Sequence, residues 1–170
     1  MISKEMHTAI NDQINAELWS AYLYLSMSIA AEAKALKGIS DWFFIQWLEE
    51  QDHARIFQKY LADHGLQAQL KQIDAVPTKW SSAADMFRDT FKHEQQVTAM
   101  IKKLITQALK EQDFATFERL QWFIAEQVEE ERSAADALAL LDFYEKGTYD
   151  IIFVDQQLGE REYAKAAPLE

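Results

Sequence analysis

Glu17 and Glu50 stand 33 residues apart, and so do Glu94 and Gln127. One shift of 77 carries the first pair onto the second, and it carries His53 onto Glu130. The chain therefore reads Glu17 … Glu50-x-x-His53 and then Glu94 … Gln127-x-x-Glu130. A residue and its i+3 neighbour share a helix face. Four helices pointing such groups into one bundle core is how a two-metal carboxylate site is built.

A lone Glu-x-x-His is a weak signal, and a lone glutamate on a helix is usually a solvated face. Position gives the pattern its force. Glu17, Glu50, Glu94 and Glu130 all fall on rows otherwise filled by Ile, Phe, Ala and Leu. A carboxylate moved into an apolar core costs several kcal/mol unless it is paired or metal-bound. Those rows hold no Lys or Arg, and His53 is the only basic group near them. Divalent metal is the economical partner. Four carboxylates and one imidazole make a hard, oxygen-rich set, which disfavours copper and structural zinc and suits iron or manganese as a bridged pair.

Long helices must position these groups. The first is expected from about Lys4 to Ala35, with the row Ile10, Ile14, Ala21, Tyr24 and Ser28 at steps of three and four. Glu17 lies within that row. Gly38 marks a turn, and the second helix is expected from Ser40 to His64, with Ser40 or Asp41 near its N-cap and Gly65 at its end. Its row is Phe43, Trp47, Phe57 and Leu61, with Glu50 and His53 on the same side. Residues 65–80 lack a helical period and contain Pro77, which predicts a crossover along the bundle rather than a tight hairpin.

Ser81 or Ser82 is expected to cap the third helix, whose row is Phe87, Phe91, Glu94, Thr98, Ile101 and Ile105. The chain turns near Gln112-Asp113. A fourth helix continues to about Tyr144 along Leu120, Phe123, Gln127, Glu130, Ala134, Ala137 and Leu141, and Gly147 stops it. A short fifth helix, about Tyr149 to Leu158, carries Ile151, Ile152, Phe153 and Val154. So apolar a segment is expected to bury against the bundle end or a neighbouring subunit. The chain thus reads as one all-α domain over residues 1–158, a four-helix bundle with a long crossover and a short fifth helix. The tail over 159–170 is expected to be weakly ordered.

Composition narrows the chemistry. Four glycines and two prolines in 170 residues favour helix over sheet. With no cysteine there is no disulfide, thiolate zinc site, iron–sulfur cluster or thiol nucleophile. The start, Met1-Ile2-Ser3-Lys4-Glu5, has no signal-peptide core, and no apolar run is long enough to span a bilayer, so a cytoplasmic protein is expected. A net charge of −11 argues against nucleic-acid partners and for cationic ligands, although solubility alone also accounts for an acidic balance. Phosphate loops, basic patches and a Ser-His-Asp ordering are missing from the sequence.

The chain resembles the non-haem bacterial ferritins over essentially its whole length. The matching stretches are Asn15-Ala16-Glu17-Leu18, Glu49-Glu50-Gln51-Asp52-His53, Lys92-His93-Glu94-Gln95 and Gln121-Trp122-Phe123 … Glu126-Gln127-Val128-Glu129-Glu130-Glu131. The resemblance implies that Glu17, Glu50 and His53 hold a first iron, and that Glu50, Glu94 and Glu130 hold a second, with Glu50 as the bridge. Gln127 would hydrogen-bond near bound oxygen species. Tyr24 matches a tyrosine beside the centre, with either a redox role or the role of an ordinary core aromatic. Glu49, Glu126 and Glu129 read as surface charge or, by the resemblance, as a third iron site completed by Glu130. His93 and His64 receive no role.

Haem-binding relatives place a second histidine where this chain has Glu130 and a methionine where it has Asp52, so haem is not expected. Absence of cysteine excludes a rubrerythrin-like module. The small starvation-induced shells bind iron between subunits and are disfavoured by the intrachain ligand pairs and by the acidic charge. The resemblance implies a ferroxidase that oxidises Fe(II) with O₂ or H₂O₂, stores ferric mineral in a shell of 24 subunits, and has neither nucleic acid nor membrane as a partner. A di-iron oxidase acting on an organic substrate and a purely structural bundle are the other classes.

Overall fold

Local capping chemistry sets most helix boundaries. In the computed structural model, which describes residues 2–147 and 149–169, the Ser3 hydroxyl accepts the Met6 N–H and starts α1, Lys4–Glu32. α2 spans Lys37–Asp63, α3 Ala83–Glu111, α4 Phe114–Glu145 and α5 Ile151–Leu158, and a single 3₁₀ turn covers Ala167–Leu169. Ser82 caps α3 by accepting the Asp85 N–H at 3.1 Å. Asp113 caps α4 through the Thr116 N–H at 3.1 Å, and Asp150 caps α5 through the Ile152 N–H at 2.8 Å.

The first turn differs from expectation on both sides. α1 stops at Glu32 rather than Ala35, because residues 33–35 fold into a turn that leaves Ala35 left-handed at φ 58°. α2 begins at Lys37, ahead of the expected Ser40. Leu36 offers no capping side chain. The acceptor comes instead from α5, where the Asp155 carboxylate takes the Gly38 N–H at 3.1 Å and the Ile39 N–H at 2.9 Å. Ser40, expected as a cap, donates to the Ser28 carbonyl at 3.1 Å and ties α2 to α1. Only glycine fits at position 38, because an added Cβ would lie 1.8 Å from the Asp155 carbonyl oxygen.

The connection from α2 to α3 runs up the side of α1. The Gln69 N–H donates to the Asn11 side chain at 2.6 Å, and the Lys71 N–H donates to Asn15 at 2.6 Å. Further along, Ser26 donates to the Pro77 carbonyl at 2.6 Å and Lys34 donates to the Trp80 carbonyl at 2.8 Å. Residue numbers rise together on both partners, so the segment runs parallel to α1. α3 therefore starts beside the end of α1 and descends in the same direction as α2. This is the expected crossover.

Two apolar clusters fill the bundle. One gathers Tyr24, Met27, Ile39, Phe43, Phe87 and Leu141 with Val154 and Leu158 of α5. The other gathers Met6, Ile10, Ile14, Phe57, Ile101 and Phe123. Between them lies a buried layer of Glu17, Glu50, His53, Glu94, Gln127 and Glu130. On α3 the inner row is Phe87, Thr90, Glu94, Val97, Ile101 and Leu104, whereas the expected members Phe91, Thr98 and Ile105 are half-buried. Every expected residue of the α4 row is buried.

α5 meets its expectation through Val154 and Leu158, which close the bundle end, while Ile152 stays 65% and Phe153 42% exposed. The tail does not run loose as expected. Asp52 on α2 is a buried carboxylate in need of donors, and it accepts the Tyr163 hydroxyl at 2.7 Å and the Ala166 N–H at 3.3 Å. Residues 159–169 are thereby held along α2. Among the described residues, no helix is long and apolar enough to cross a membrane.

Candidate metal centre

Each of the four long helices contributes to the central layer, because each places a polar group at a position that helical periodicity turns inward. Ligand atoms of Glu17, Glu50 and His53 lie within 4.8 Å of one another, and all three residues are buried. Glu17 accepts the Gln13 amide at 2.9 Å through one oxygen. Its other oxygen is buried with no hydrogen-bond partner. A carboxylate oxygen sealed from water without a donor is costly, and a cation removes that cost. The donor set of carboxylates and an imidazole fits iron.

His53 stands between two acids. Its Nδ1 lies 3.3 Å from Glu50 Oε2, and its Nε2 lies 3.7 Å from Glu126 Oε1. Burial works against the imidazolium, but the carboxylates of Glu126 and Glu50 overcome it and hold the His53 pKa well above its ordinary value. A second group of ligand atoms, from His53, Glu126 and Glu130, also lies within 4.8 Å. A metal-bound histidine commonly has its other nitrogen fixed by a carboxylate, and Glu126 is placed to do this.

The opposite side of the layer is more fully hydrogen-bonded. The Tyr24 hydroxyl donates to Glu94 Oε1, while Gln127 Nε2 lies 3.2 Å from Glu94 Oε2 and 3.2 Å from Thr98 Oγ1. Glu130 accepts the Gln46 amide at 2.9 Å. The Tyr24 ring stacks on Phe43 with centroids 6.2 Å apart, so Tyr24 is both a core aromatic and a donor to the centre. Burial pushes the Glu94 carboxyl up to about 8, with Glu130 adding to the effect. Burial also raises Glu17, Glu50 and Glu130, and it drives the Tyr24 hydroxyl well above its usual range.

Of the residues expected at a third site, Glu126 and Glu130 converge with His53, while Glu49 and Glu129 stand outside that group. Glu126 turns to His53, Glu130 belongs to the central layer, and Glu49 accepts from Arg161 at 2.6 Å. Glu129 is exposed and stands outside both ligand groups found among the described residues. His64 bonds the Tyr60 carbonyl at 2.9 Å near the end of α2. His93 is different. Its Nε2 lies 2.7 Å from Ser20 Oγ, and burial lowers its pKa to about 4, so a neutral imidazole sits beside Glu94.

Gln13, Gln46 and Arg161 touch the ligand carboxylates or their partners, yet they did not emerge from the sequence patterns above. For the two glutamines a signal existed. They stand 33 residues apart, each four before a ligand glutamate, so they extend the Glu17–Glu50 spacing by one turn. Arg161 has no such signal, because it reaches the site from the tail.

An antiparallel four-helix bundle with a parallel middle pair, a long crossover and a buried carboxylate layer defines the ferritin-like class of proteins. Comparisons with known proteins agree. Residues 7–143 match the ferritin-like domain family. The chain is 40% identical to a bacterial non-haem ferritin of Bacteroides fragilis over 162 residues, covering 95% of this chain and all of that one. It is 36% identical to a bacterial non-haem ferritin of Campylobacter jejuni, covering 88% of this chain and 91% of that one. An Archaeoglobus fulgidus ferritin engineered into a closed form superimposes with a TM-score of 0.93 at 40% identity, covering 96% of this chain and all of that one. This chain belongs to the ferritin family, a class of iron-storage proteins.

Proposed function

We propose that this chain is a ferroxidase as well as an iron store. Fe(II) enters the bundle as substrate and binds as a pair, one ion at Glu17, Glu50 and His53 and the other at Glu50, Glu94 and Glu130. The observation that carries the reading is the buried, partnerless oxygen of Glu17 facing a layer of raised carboxylates and one imidazole. Two Fe(II) give up one electron each. The electrons and two protons reduce O₂ to H₂O₂, or H₂O₂ to two waters. Carboxylates stabilise the more highly charged Fe(III) product. Gln127 and Tyr24 orient Glu94 from the opposite side, and Tyr24 is positioned to donate a hydrogen bond as charge builds.

Glu49, Glu126 and Glu129 take a third iron, completed by Glu130. Ferric iron then mineralises inside a shell of 24 subunits in the cytoplasm. The exposed Ile152 and Phe153 of α5 support burial by neighbouring subunits. An acidic excess of −11 per chain, repeated over a shell, concentrates Fe(II) by steering. Haem, nucleic acid and membrane have no place in this reading.

The test adds excess Fe(II) to metal-free protein in air, separates by size and assays iron in the protein peak. Iron far beyond the two or three ions these ligands can hold, travelling with a large particle, is the expected result. Two or three irons per chain on a small species would indicate a di-iron oxidase instead. No retained iron would overturn the metal assignment altogether.

A further inference from the structure

Arg161 lies against the carboxylates on the α2–α4 side of the centre. One guanidinium nitrogen donates to Glu49 Oε2 at 2.6 Å, and another donates to the Gln46 side-chain oxygen. The guanidinium carbon sits 4.8 Å from the Trp42 ring centroid, a stacking arrangement that orients the fork. Gln46 has no exposed surface. Because its oxygen is taken by Arg161, its amide nitrogen must face the other way, and it donates to Glu130 at 2.9 Å. One arginine therefore fixes Glu49 directly and Glu130 through an intermediate amide.

The segment that carries Arg161 is pinned on both sides. Before it, Gly159 packs on Gly38 so closely that a Cβ would lie 2.8 Å from the Gly38 Cα. After it, Tyr163 and Ala166 donate to Asp52. The arginine is thus held in place by a strap, and its side chain remains 23% exposed on the solvent side.

We propose that Arg161 is a built-in competitor for the third iron position: the guanidinium ties up one Glu49 oxygen, and Glu49 binds a metal ion tightly as the guanidinium leaves it. This rests on the reading that Glu49, Glu126 and Glu130 accept iron. The guanidinium occupies Glu49 Oε2, and a metal ion brought to the same carboxylate is repelled by it, so each cation weakens the other's hold. Iron at the third position and the Arg161 guanidinium therefore compete for Glu49. Iron arriving after the central pair is filled displaces the Arg161 side chain and loosens the strap between its two pins, and departure of that iron lets the guanidinium return. Arg161 is a positioning residue in this scheme and takes no part in electron transfer.

The test uses the full-length, assembled, metal-free protein under anaerobic conditions. Fe(II) is titrated by calorimetry into the wild type, Arg161→Gln, Arg161→Lys and Glu126→Gln. Amide hydrogen exchange of residues 159–169 is followed at each equivalent. In the wild type, exchange in 159–169 is expected to quicken only as the third equivalent binds. In Arg161→Gln the third equivalent is expected to bind at least about tenfold more tightly, with exchange already fast before iron is added. Arg161→Lys, which keeps the charge but loses the fork, should fall between the two.

Equal third-equivalent affinity in wild type and Arg161→Gln, with Glu126→Gln weakening it, would show that the third site is real and that Arg161 does not govern it. No third equivalent in either protein would overturn the third site and the competitor together. A weaker third equivalent in Arg161→Gln would mean that Arg161 supports the site, which also overturns the proposal.

Discussion

The α1–α2 half of the centre and the α3–α4 half share one spacing but complete it differently. In the first half an imidazole stands beside Glu50, and one oxygen of Glu17 has no partner at all. In the second half Glu94 is bonded by Tyr24 and Gln127, and Glu130 by Gln46. The first half is incomplete without a cation. The second is arranged by neutral donors, each of which leaves further lone pairs on the carboxylates for metal. Repetition of a ligand pattern therefore does not make two equal sites. The partners one turn away decide which half needs its ion and which half is ready for it.

Removing the group common to both halves should have the largest effect. Glu50→Ala is expected to slow Fe(II) oxidation by more than the roughly 10–100-fold seen when an outer partner of a metal ligand is lost, as measured by stopped-flow absorbance. Glu17→Ala and Glu94→Ala should slow it as well, but unequally: Glu17→Ala removes the tighter of the two anaerobic Fe(II) equivalents and Glu94→Ala the weaker. Wild-type oxidation rates in all three variants would remove the site assignment.

Taking away the neutral donors sharpens the contrast. Tyr24→Phe and Gln127→Leu are each expected to slow oxidation by about tenfold, within the range for outer partners, while leaving the tighter equivalent in place. A matching loss of that tighter equivalent in anaerobic titration would mean that the halves are coupled more strongly than their hydrogen bonds indicate.

The pH response of the metal-free protein should be smaller and opposite in sign to ordinary acid denaturation. Glu94 titrates near 8 in the folded chain, above its ordinary value near 4.5. Its contribution to stability is thus fully present below about pH 4.5 and is lost as pH rises through 8. Tm should fall over that window, fall less steeply in Glu94→Gln, and recover when divalent metal is added. Each kcal/mol involved corresponds to about 2–4 °C for a chain of this size. An unchanged slope in Glu94→Gln would exclude this carboxyl as the source.

The smallest effect belongs to Gln13→Leu. It strips the one donor from Glu17, and a several-fold loss in affinity for the first Fe(II) is expected, up to about tenfold. No change in calorimetric affinity would show that the metal alone orients Glu17.

The buried central layer is legible because helix periodicity is local. Glu17, Glu50, Glu94 and Glu130 announce themselves by interrupting apolar rows, and all four are buried. On α3 the periodicity alone places the row one residue off on either side of Glu94, since Phe91, Thr98 and Ile105 fit the period nearly as well as Thr90, Val97 and Leu104. What stayed hidden depends on contacts between distant segments. Asp155 caps α2 from 116 residues away, and Arg161 reaches Glu49 across 112. The turn of Glu126 toward His53 is equally non-local, because nothing on α4 alone distinguishes it from Glu129.

The cap supplied by Asp155 has a consequence for the timing of biosynthesis. A chain emerges from the ribosome N-terminus first, and its earlier segments begin to fold while later ones are still being made. All of α2 is therefore outside the exit tunnel before residue 155 has been translated. Until then the Gly38 and Ile39 amides have no protein acceptor, and the opening turn of α2 stays frayed. The helix that carries Glu50 and His53 is finished only when α5 arrives, so a nascent chain holds its proposed iron ligands on an element whose first turn is still open.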